Sequence, residues 1–225
     1  MDGNKALHRV RVWDLPTRIF HWALVACVIC LAVSGLIGGN AMAWHFRFGY
    51  AVTALLLFRI VWGLVGGRWS RFGAFIYGPK SVINYLMGWG KPEHSVGHSP
   101  IGAVSVFAVL VILLAQVGTG LISDDEITAS GPLTRFVSNA TVRLATNYHA
   151  DIGKWLLLAL VVLHIAAIGF YQQRKHRLVD AMLHGNKDVA VAVPDSRDDA
   201  LSRTAALVLF GMCAAFVAWV SSLAV

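Results

Sequence analysis

The chain has 225 residues, of which 57% are hydrophobic and only 14% are charged, and its formal net charge is +7 at pH 7. A soluble globular domain averages roughly 45–50% apolar and about 25% charged residues. Too little charge is therefore available to coat a water-exposed surface, which excludes a soluble enzyme and a disordered tail. The basic residues cluster between apolar runs and form no stripe, so a nucleic-acid binder is excluded as well. The composition indicates an integral membrane protein.

Five apolar stretches have roughly the 17–25 residues that a membrane-crossing helix needs. They do not alternate as a membrane β-strand does, so each is predicted to be a helix. The predicted spans are 19–37, 44–65, 101–122, 152–171 and 204–225. The predicted fold is an all-α integral membrane protein: a four-helix membrane domain at 1–187, a polar linker at 188–203, and a fifth C-terminal transmembrane helix at 204–225.

The distribution of Lys and Arg predicts the orientation of the chain, because loops rich in these residues stay in the cytoplasm. Fourteen of them precede the first span or lie in the connections after the second and fourth spans, against two on the opposite side. The N-terminus is therefore predicted to be cytoplasmic. With five spans, the C-terminus is periplasmic in a bacterial inner membrane.

Two connections are predicted to contain short helices. Pro79 introduces a cytoplasmic helix at Lys80–Met87, since proline is favoured at the first helical position. In the outer loop, apolar residues recur with helical spacing from Leu133 to Leu144. This pattern predicts an amphipathic helix that lies against the outer membrane face.

Histidine is the residue type that carries the candidate chemistry, because ionisable side chains inside membrane spans are rare and usually functional. Four of the nine histidines lie in or at the ends of three spans: His21, His45, His149 and His164. By predicted depth, His21 pairs with His164 near the cytoplasmic face. His45 pairs with His149 near the outer face. The two histidines of the fourth span are 15 residues apart, which at about 100° per residue places them within roughly 60° on one helix face.

Two histidine pairs at two depths suit two stacked haem groups, each with an iron held by two imidazoles. A zinc site needs its donors clustered around one ion, whereas these pairs are far apart and lack carboxylates. Cys27 and Cys30 have the Cys-x-x-Cys spacing, but no histidine follows Cys30. The signature of covalent haem attachment is therefore absent, and two non-covalent b haems are predicted. Histidines that serve only packing, and a path for metal ions, are the alternatives.

The sequence resembles the prokaryotic cytochrome b561 family, which includes the cytochrome b subunits of nickel–iron hydrogenases. The resemblance covers about residues 10–187 and includes the paired histidines of the fourth span. Its motifs are Arg11-Val-Trp-Asp-Leu-Pro-Thr-Arg-Ile-Phe-His21-Trp, Phe58-Arg-Ile-Val-Trp-Gly63, Gly97-His-Ser-Pro-Ile-Gly102 and Ala181-Met-Leu-His-Gly-Asn-Lys187. The resemblance implies a four-helix, di-haem membrane electron carrier whose ligand positions fall on the four histidines named above.

The sequence departs from the family pattern in two places. Family members commonly place the two ligands of the fourth helix one residue closer together than the 15 found here. A π-bulge or an unwound first turn near Ala150–Gly153 is predicted to absorb the extra residue. The fifth helix also lies outside the family pattern and contains no histidine or charge within the membrane. It is predicted to pack peripherally or to dock a partner.

Three arginines and one further histidine are candidate cofactor contacts. Haem propionates are carboxylates, which pair with arginine near a membrane face. Arg18 precedes the first ligand by about one turn and Arg47 follows the second by two residues, so both are candidate propionate partners; the alternative is snorkelling to lipid headgroups. Arg59 lies deeper and is a candidate for a propionate or a quinone. His98 is a candidate for proton or quinone handling, or simply begins the third span.

Three functions are compatible with these features. The first is electron transfer between a periplasmic redox partner, such as a cytochrome c, and the quinone pool; the acidic run 124–126 would attract a basic protein. The second is a haem-bearing membrane anchor of a hydrogenase or dehydrogenase. The third is a metal or proton transporter without redox chemistry. No catalytic nucleophile or nucleotide-binding motif is present. The one enzyme activity that stays open is therefore quinone oxidoreduction, and quinone is a candidate ligand.

Overall fold

The computed structural model describes residues 7–125, 129–174 and 176–224. Lys5, Glu126, Lys175 and Val225, which the sequence argument used, lie outside these residues. The elements in chain order are β1 (His8–Arg11), α1 (Leu15–Ile37), α2 (Met42–Val65), α3 (Pro79–Leu86), α4 (Pro100–Gly120), α5 (Asn139–Asn147), a π turn (Tyr148–Gly153), α6 (Lys154–Gln173), α7 (Leu178–His184), β2 (Asn186–Val189) and α8 (Ala200–Ser221).

Five helices of the described chain are long and apolar enough to cross a membrane, which confirms the predicted spans. α1 and α8 each begin four residues earlier than predicted. A carboxylate starts each helix: Asp14 accepts a hydrogen bond from the Thr17 N–H at 2.9 Å, and Asp199 accepts one from the Ser202 N–H at 2.8 Å. A hydropathy pattern identifies only the apolar part of a helix. The residue at which the helix begins depends on capping hydrogen bonds such as these.

The short connecting helices agree with the sequence in part. α3 begins at Pro79, as predicted. The outer-loop helix does not extend continuously from Leu133, which corrects that prediction: residues 134–136 form a separate 3-10 turn. Ser138 then caps α5, because its side chain accepts a hydrogen bond from the Thr141 N–H at 3.2 Å. This cap starts a new helix in the middle of the apolar pattern.

The chain divides into two compact units. The first contains Met1–Ile19, Ile60–Phe107 and Leu163–Ala206, and the second contains Phe20–Arg59, Ala108–Val162 and Leu207–Val225. Each of the five long helices contributes residues to both units. The division therefore does not follow the sequence order, and the predicted boundary at residue 187 falls inside β2.

The first unit has a small core around a two-stranded sheet. β1 and β2 are antiparallel, with His8 opposite Val189 and Arg11 opposite Asn186. The buried residues of this core come from β1 and the two residues after it, from the turn before α4, from α7 and from β2. They are Val10, Val12, Trp13, Val96, Ala181 and Val189. Val191 and Val193 pack against it. Residues 188–193, expected to be part of a polar linker, thus contribute to the core.

Hydrogen bonds order the rest of that segment. Asp195 accepts from the Arg11 N–H at 2.6 Å, and the Ser196 hydroxyl donates to the Val12 carbonyl at 2.8 Å. Asp198 forms salt bridges with Arg11 at 3.2 Å and with Arg203 at 2.9 Å. These bonds therefore attach the segment between β2 and α8 to the end of β1.

The second unit is built around α2. Val52 and Leu56 of α2 and Leu113 of α4 are fully buried, with flanking apolar residues from α1 and α6. In α8, Phe210 packs edge-on against Phe58 with ring centroids 6.0 Å apart. The fifth helix thus contacts α2 within this unit.

Candidate functional site

His45 of α2 and His149 of the π turn face each other in the second unit. Their ring centroids are 6.1 Å apart and their planes are 86° apart. Two imidazoles bound end-on to one metal through bonds of about 2.0–2.1 Å place their ring centres roughly 6 Å apart. The spacing of this pair therefore fits one iron held between the two rings.

Backbone carbonyls determine which ring nitrogen of each histidine is available to a metal. The Nδ1 atom of His45 donates to the Leu31 carbonyl at 3.1 Å, and the Nδ1 atom of His149 donates to the Gln116 carbonyl at 2.8 Å. Since a neutral imidazole carries one proton, both Nε2 atoms keep their lone pairs. Metal-binding histidines typically donate their second nitrogen in this way, which fixes the ring and strengthens the ligand.

Two glycines make room for these rings. A Cβ at Gly35 of α1 would lie 3.1 Å from Cε1 of His45, and a Cβ at Gly120 of α4 would lie 2.8 Å from Cε1 of His149. Distances below about 3 Å are not tolerated by a closely packed interior without movement. α1 and α4 therefore approach the two imidazole rings closely, because these positions lack side chains.

The extra residue in the fourth span is absorbed by a π turn, one of the two predicted solutions. The turn covers Tyr148–Gly153 and leads directly into α6, which carries His164. A π turn holds one more residue per turn than the α-helix around it. The wider turn is the structural counterpart of the longer spacing between His149 and His164.

The two histidines of the predicted inner pair lie in different units. His21 lies in the second unit, where its ring contacts Trp22 edge-on with centroids 5.0 Å apart. His164 lies in the first unit. Both side chains are partly buried. Their pairing stays a prediction.

The three arginines have different surroundings. Arg18 donates through Nη1 to the Leu183 carbonyl at 2.6 Å. Arg47 is exposed and stacks over the Trp44 ring, 4.7 Å from its centroid. Arg59 is only 4% exposed. The cofactor roles of all three stay predictions.

His98 lies between two buried aromatic rings in the first unit. Its ring centroid is 4.7 Å from that of Trp13 and 4.3 Å from that of Phe75. The Tyr77 hydroxyl donates to its carbonyl at 3.0 Å. These contacts fix the residue just before α4, and a role in proton or quinone handling stays a prediction.

Asp14 is a buried structural residue that the sequence pattern did not single out. It is fully buried and accepts hydrogen bonds from the Gly67 N–H at 3.0 Å, the Ser70 hydroxyl at 3.1 Å and the Trp62 indole N–H at 3.3 Å. Together with the cap on Thr17, these bonds join the start of α1 to the end of α2. An aspartate directly before Leu-Pro-Thr is a helix-start signal that would have identified its local role.

Gln116 is a second residue that the sequence argument missed. It lies one turn before the end of α4, and its side-chain amide donates to the His149 carbonyl at 2.9 Å. A glutamine amide within a strongly apolar span was the available signal. Within the described ranges, no three His, Cys, Asp or Glu residues lie close enough together to hold a metal ion by themselves.

The sequence profile of the family described as "Prokaryotic cytochrome b561" matches residues 12–185. The chain belongs to the prokaryotic cytochrome b561 family. The match covers α1 to α7 and ends before β2, so α8 lies outside it, in agreement with the expectation from the sequence.

The chain is also similar to several curated proteins with related names. It is 27% identical over 187 residues to the "Probable Ni/Fe-hydrogenase 1 B-type cytochrome subunit" of Escherichia coli (strain K12), covering 68% of this chain and 80% of that protein. It is 23% identical over 222 residues to the "Probable Ni/Fe-hydrogenase B-type cytochrome subunit" of Rhizobium leguminosarum bv. viciae, covering 82% and 92%. The protein of the same name from Bradyrhizobium diazoefficiens is 24% identical over 225 residues, covering 83% and 90%.

These comparisons establish the general class of the protein. Membership in a b-type cytochrome family, five helices able to span a membrane and relatives named as cytochrome subunits identify a haem-bearing, multi-pass bacterial membrane protein of electron transport. The implied cofactor is haem b. The facing pair His45 and His149, with both Nδ1 atoms donating to carbonyls, fits that group.

Proposed function

We propose that this chain carries electrons across a bacterial inner membrane through two haem b groups, each held by two histidines. His45 and His149 would hold the outer haem, and His21 and His164 the inner one. The observation that carries the proposal is the facing outer pair, with ring centroids 6.1 Å apart. The chain thereby links a redox partner at the outer face to the quinone pool.

Each haem supplies one-electron redox chemistry when bound, and the protein holds and tunes it. Ligation by two imidazoles suits electron transfer, because the same ligands serve both oxidation states with little rearrangement. The carbonyls of Leu31 and Gln116 keep each ring in one tautomer and one orientation. Gly35 and Gly120 keep the space beside the rings clear.

Arg59 is proposed as a partner of an inner haem propionate or of a quinone headgroup. Phe20 of α1 and Phe58 of α2 have ring centroids 6.5 Å apart, so Arg59 lies at about the level of His21. A buried cation inside a span is stabilised by an anionic group beside it, and a propionate carboxylate provides one. Arg18, close to α7, is proposed for the same haem.

For Arg47 the surroundings favour the alternative role. It lies two residues after His45, about 200° around the helix, and stacks on the exposed Trp44. An arginine and a tryptophan at the end of a span are typical anchors at the membrane interface. A direct propionate contact would require Arg47 to leave the Trp44 ring.

The orientation is proposed from charge. The excess of Lys and Arg on one side, 14 against two, supports an orientation with the N-terminus in the cytoplasm and the C-terminus in the periplasm. The His45 and His149 pair then lies near the periplasmic face, and His21 and His164 lie nearer the cytoplasm. A reporter fused after residue 225 would be active in the periplasm if this orientation is correct.

Two partners are proposed for the outer face. The names of the relatives favour a hydrogenase, or a similar dehydrogenase, whose membrane anchor this chain would be. A basic cytochrome c is the alternative, supported by Asp124 and Asp125, which line an open depression in the outer loop. Arg143 lines the same depression and reduces its negative charge. This favours the hydrogenase-type partner.

The experiment that tests the proposed function is haem quantitation in the purified full-length protein. The pyridine haemochrome assay should give two b haems per chain, with a b-type difference spectrum between reduced and oxidised protein. A chain without haem would overturn the proposal and leave the metal or proton transporter. Reduction by added quinol tests the quinone role, and co-purification of a tagged chain with a redox subunit distinguishes the two partners.

A further inference from the structure

Gln116 contacts the outer ligand His149 twice. Its backbone carbonyl accepts a hydrogen bond from Nδ1 of the His149 ring at 2.8 Å. Its side-chain amide donates to the backbone carbonyl of His149 at 2.9 Å. One residue of α4 therefore holds both the ring and the main chain of the same ligand.

The second contact lies where the helix is irregular. His149 belongs to the π turn Tyr148–Gly153, in which the carbonyl groups are displaced from their α-helical positions. A π turn bonds each carbonyl to the N–H five residues on instead of four, and such turns are rare because they depend on support from their surroundings. A backbone carbonyl has two lone pairs, so the glutamine amide of α4 gives the His149 carbonyl a hydrogen bond from the neighbouring helix.

The surrounding packing is shaped to admit this amide. A Cβ at Gly153, the last residue of the π turn, would overlap the amide oxygen of Gln116. A Cβ at Gly120, one turn beyond Gln116, would lie 2.8 Å from Cε1 of His149. Both glycines leave space on the two sides of the contact, so the amide and the imidazole fit together between α4 and the π turn.

We propose that Gln116 is the positioning residue of the outer haem: its amide stabilises the π turn and so determines the rotation of the His149 ring. The inference rests on the proposed bis-histidine outer haem. If the π turn relaxed into regular α-helix, the residues on one side of it would rotate by about 100° relative to those on the other. The ring of His149 would then leave its position opposite His45.

The test uses Gln116→Met in the full-length purified protein, since methionine keeps the length of the side chain and removes the amide. We expect the low-spin electron paramagnetic resonance signal of the outer haem to shift or disappear, while the inner signal is unchanged. Transfer of the outer haem to apomyoglobin should become roughly 10- to 100-fold faster, as is typical when a group behind a metal ligand is removed.

The matched control is Thr53→Val. Thr53 is also a polar residue within a span, but its hydroxyl donates to the Gly49 carbonyl of its own helix at 2.7 Å. This variant should keep the signals of both haems. If Gln116 served only general packing, Gln116→Met would change the resonance signals of both haems. That result would overturn the inference.

Two further variants test the contact without relying on Gln116→Met. Gly153→Ala adds a Cβ that displaces the amide, so it should change the outer signal in the same direction. Deletion of Ala150 removes the residue that the π turn absorbs, and Gln116→Met should have no further effect in that background. Wild-type outer signals in both Gln116→Met and Gly153→Ala would refute the inference. Absence of a bis-histidine outer haem in the wild type would instead refute the proposed function.

Discussion

The rings of His45 and His149 face each other at nearly a right angle, with planes 86° apart and centroids 6.1 Å apart. Iron between perpendicular imidazoles gives a highly anisotropic low-spin resonance with a large maximal g value, unlike the rhombic signal of parallel rings. We expect this signal from the outer haem. The angle is maintained because each ring donates through Nδ1 to a carbonyl of a different helix.

His149→Ala should abolish that outer signal and leave the inner one. The fourth span contains no other histidine near this level, and Tyr148 and Asp151 are poor ligands for a low-spin b-type iron. Electron paramagnetic resonance of the oxidised variant is the measurement, with His94→Ala, outside the membrane spans, as the control. A surviving bis-histidine signal would show that the ligand comes from elsewhere in the chain.

His164→Ala should remove the inner haem and leave the outer one bound. The proposed outer pair lies on α2 and in the π turn, and its Nδ1 atoms bond to the carbonyls of Leu31 and Gln116, away from position 164. The pyridine haemochrome assay should give one haem per chain. Two haems per chain in this variant would be incompatible with the assignment of His164.

Gly120→Ala should weaken the outer haem site, whereas Gly118→Ala should not. A Cβ at position 120 would lie 2.8 Å from Cε1 of His149, while a Cβ at position 118 meets nothing within 4 Å. Both changes add one methyl group to the same helix, so the pair isolates the effect of the close approach. Haem content and the outer resonance signal are the readouts, and equal behaviour of the two variants would contradict the prediction.

Asp14→Ala should destabilise the first unit by at least about 3 kcal/mol, since it removes a helix cap and leaves buried donors without an acceptor. Those donors are the Trp62 indole, the Gly67 N–H and the Ser70 hydroxyl. Thermal unfolding followed by tryptophan fluorescence would show a lower Tm. Gly73→Ala is the control, because a Cβ there meets nothing within 4 Å; a Tm equal to that of this control would argue against the role.

The salt bridges of Asp198 predict a loss of stability in acid. Burial alone raises the pKa of Asp198. Hydrogen bonds from Arg203 and the Leu15 N–H, with the charges of Arg203 and Arg11, lower it by more, so the net pKa lies below its ordinary value. A lowered pKa in the folded state stabilises the protein above the unfolded pKa of about 3.9. That contribution is lost as the pH falls through the lower, folded pKa.

Comparison with Asp198→Asn measures this contribution. The asparagine variant should have a lower Tm than the wild type near neutral pH, and the difference should shrink as the pH is lowered below about 4. Thermal unfolding over this pH range provides the measurement. A constant difference between the two proteins across the range would exclude titration of Asp198 as the cause.

The sequence by itself determined the class of the protein and the identity of its candidate ligands. Membrane spans depend on the length and polarity of a continuous stretch, both of which are local properties, so all five were predicted correctly. The family resemblance, against which the spacing of His149 and His164 is one residue longer, predicted either a π-bulge or an unwound first turn, and the structure has the π turn.

The tertiary structure decided what packs around those ligands. That Gln116 of α4 bonds to His149, or that Gly35 of α1 makes room for His45, depends on which helix faces are adjacent. The residues involved are 33 and 10 positions from their histidines, so no local pattern relates them. The segment after residue 188 shows the same limit: its polarity predicted a linker, yet Val189, Asp195 and Ser196 attach it to β1, because strand pairing and buried hydrogen bonds are made only when distant parts of the chain meet.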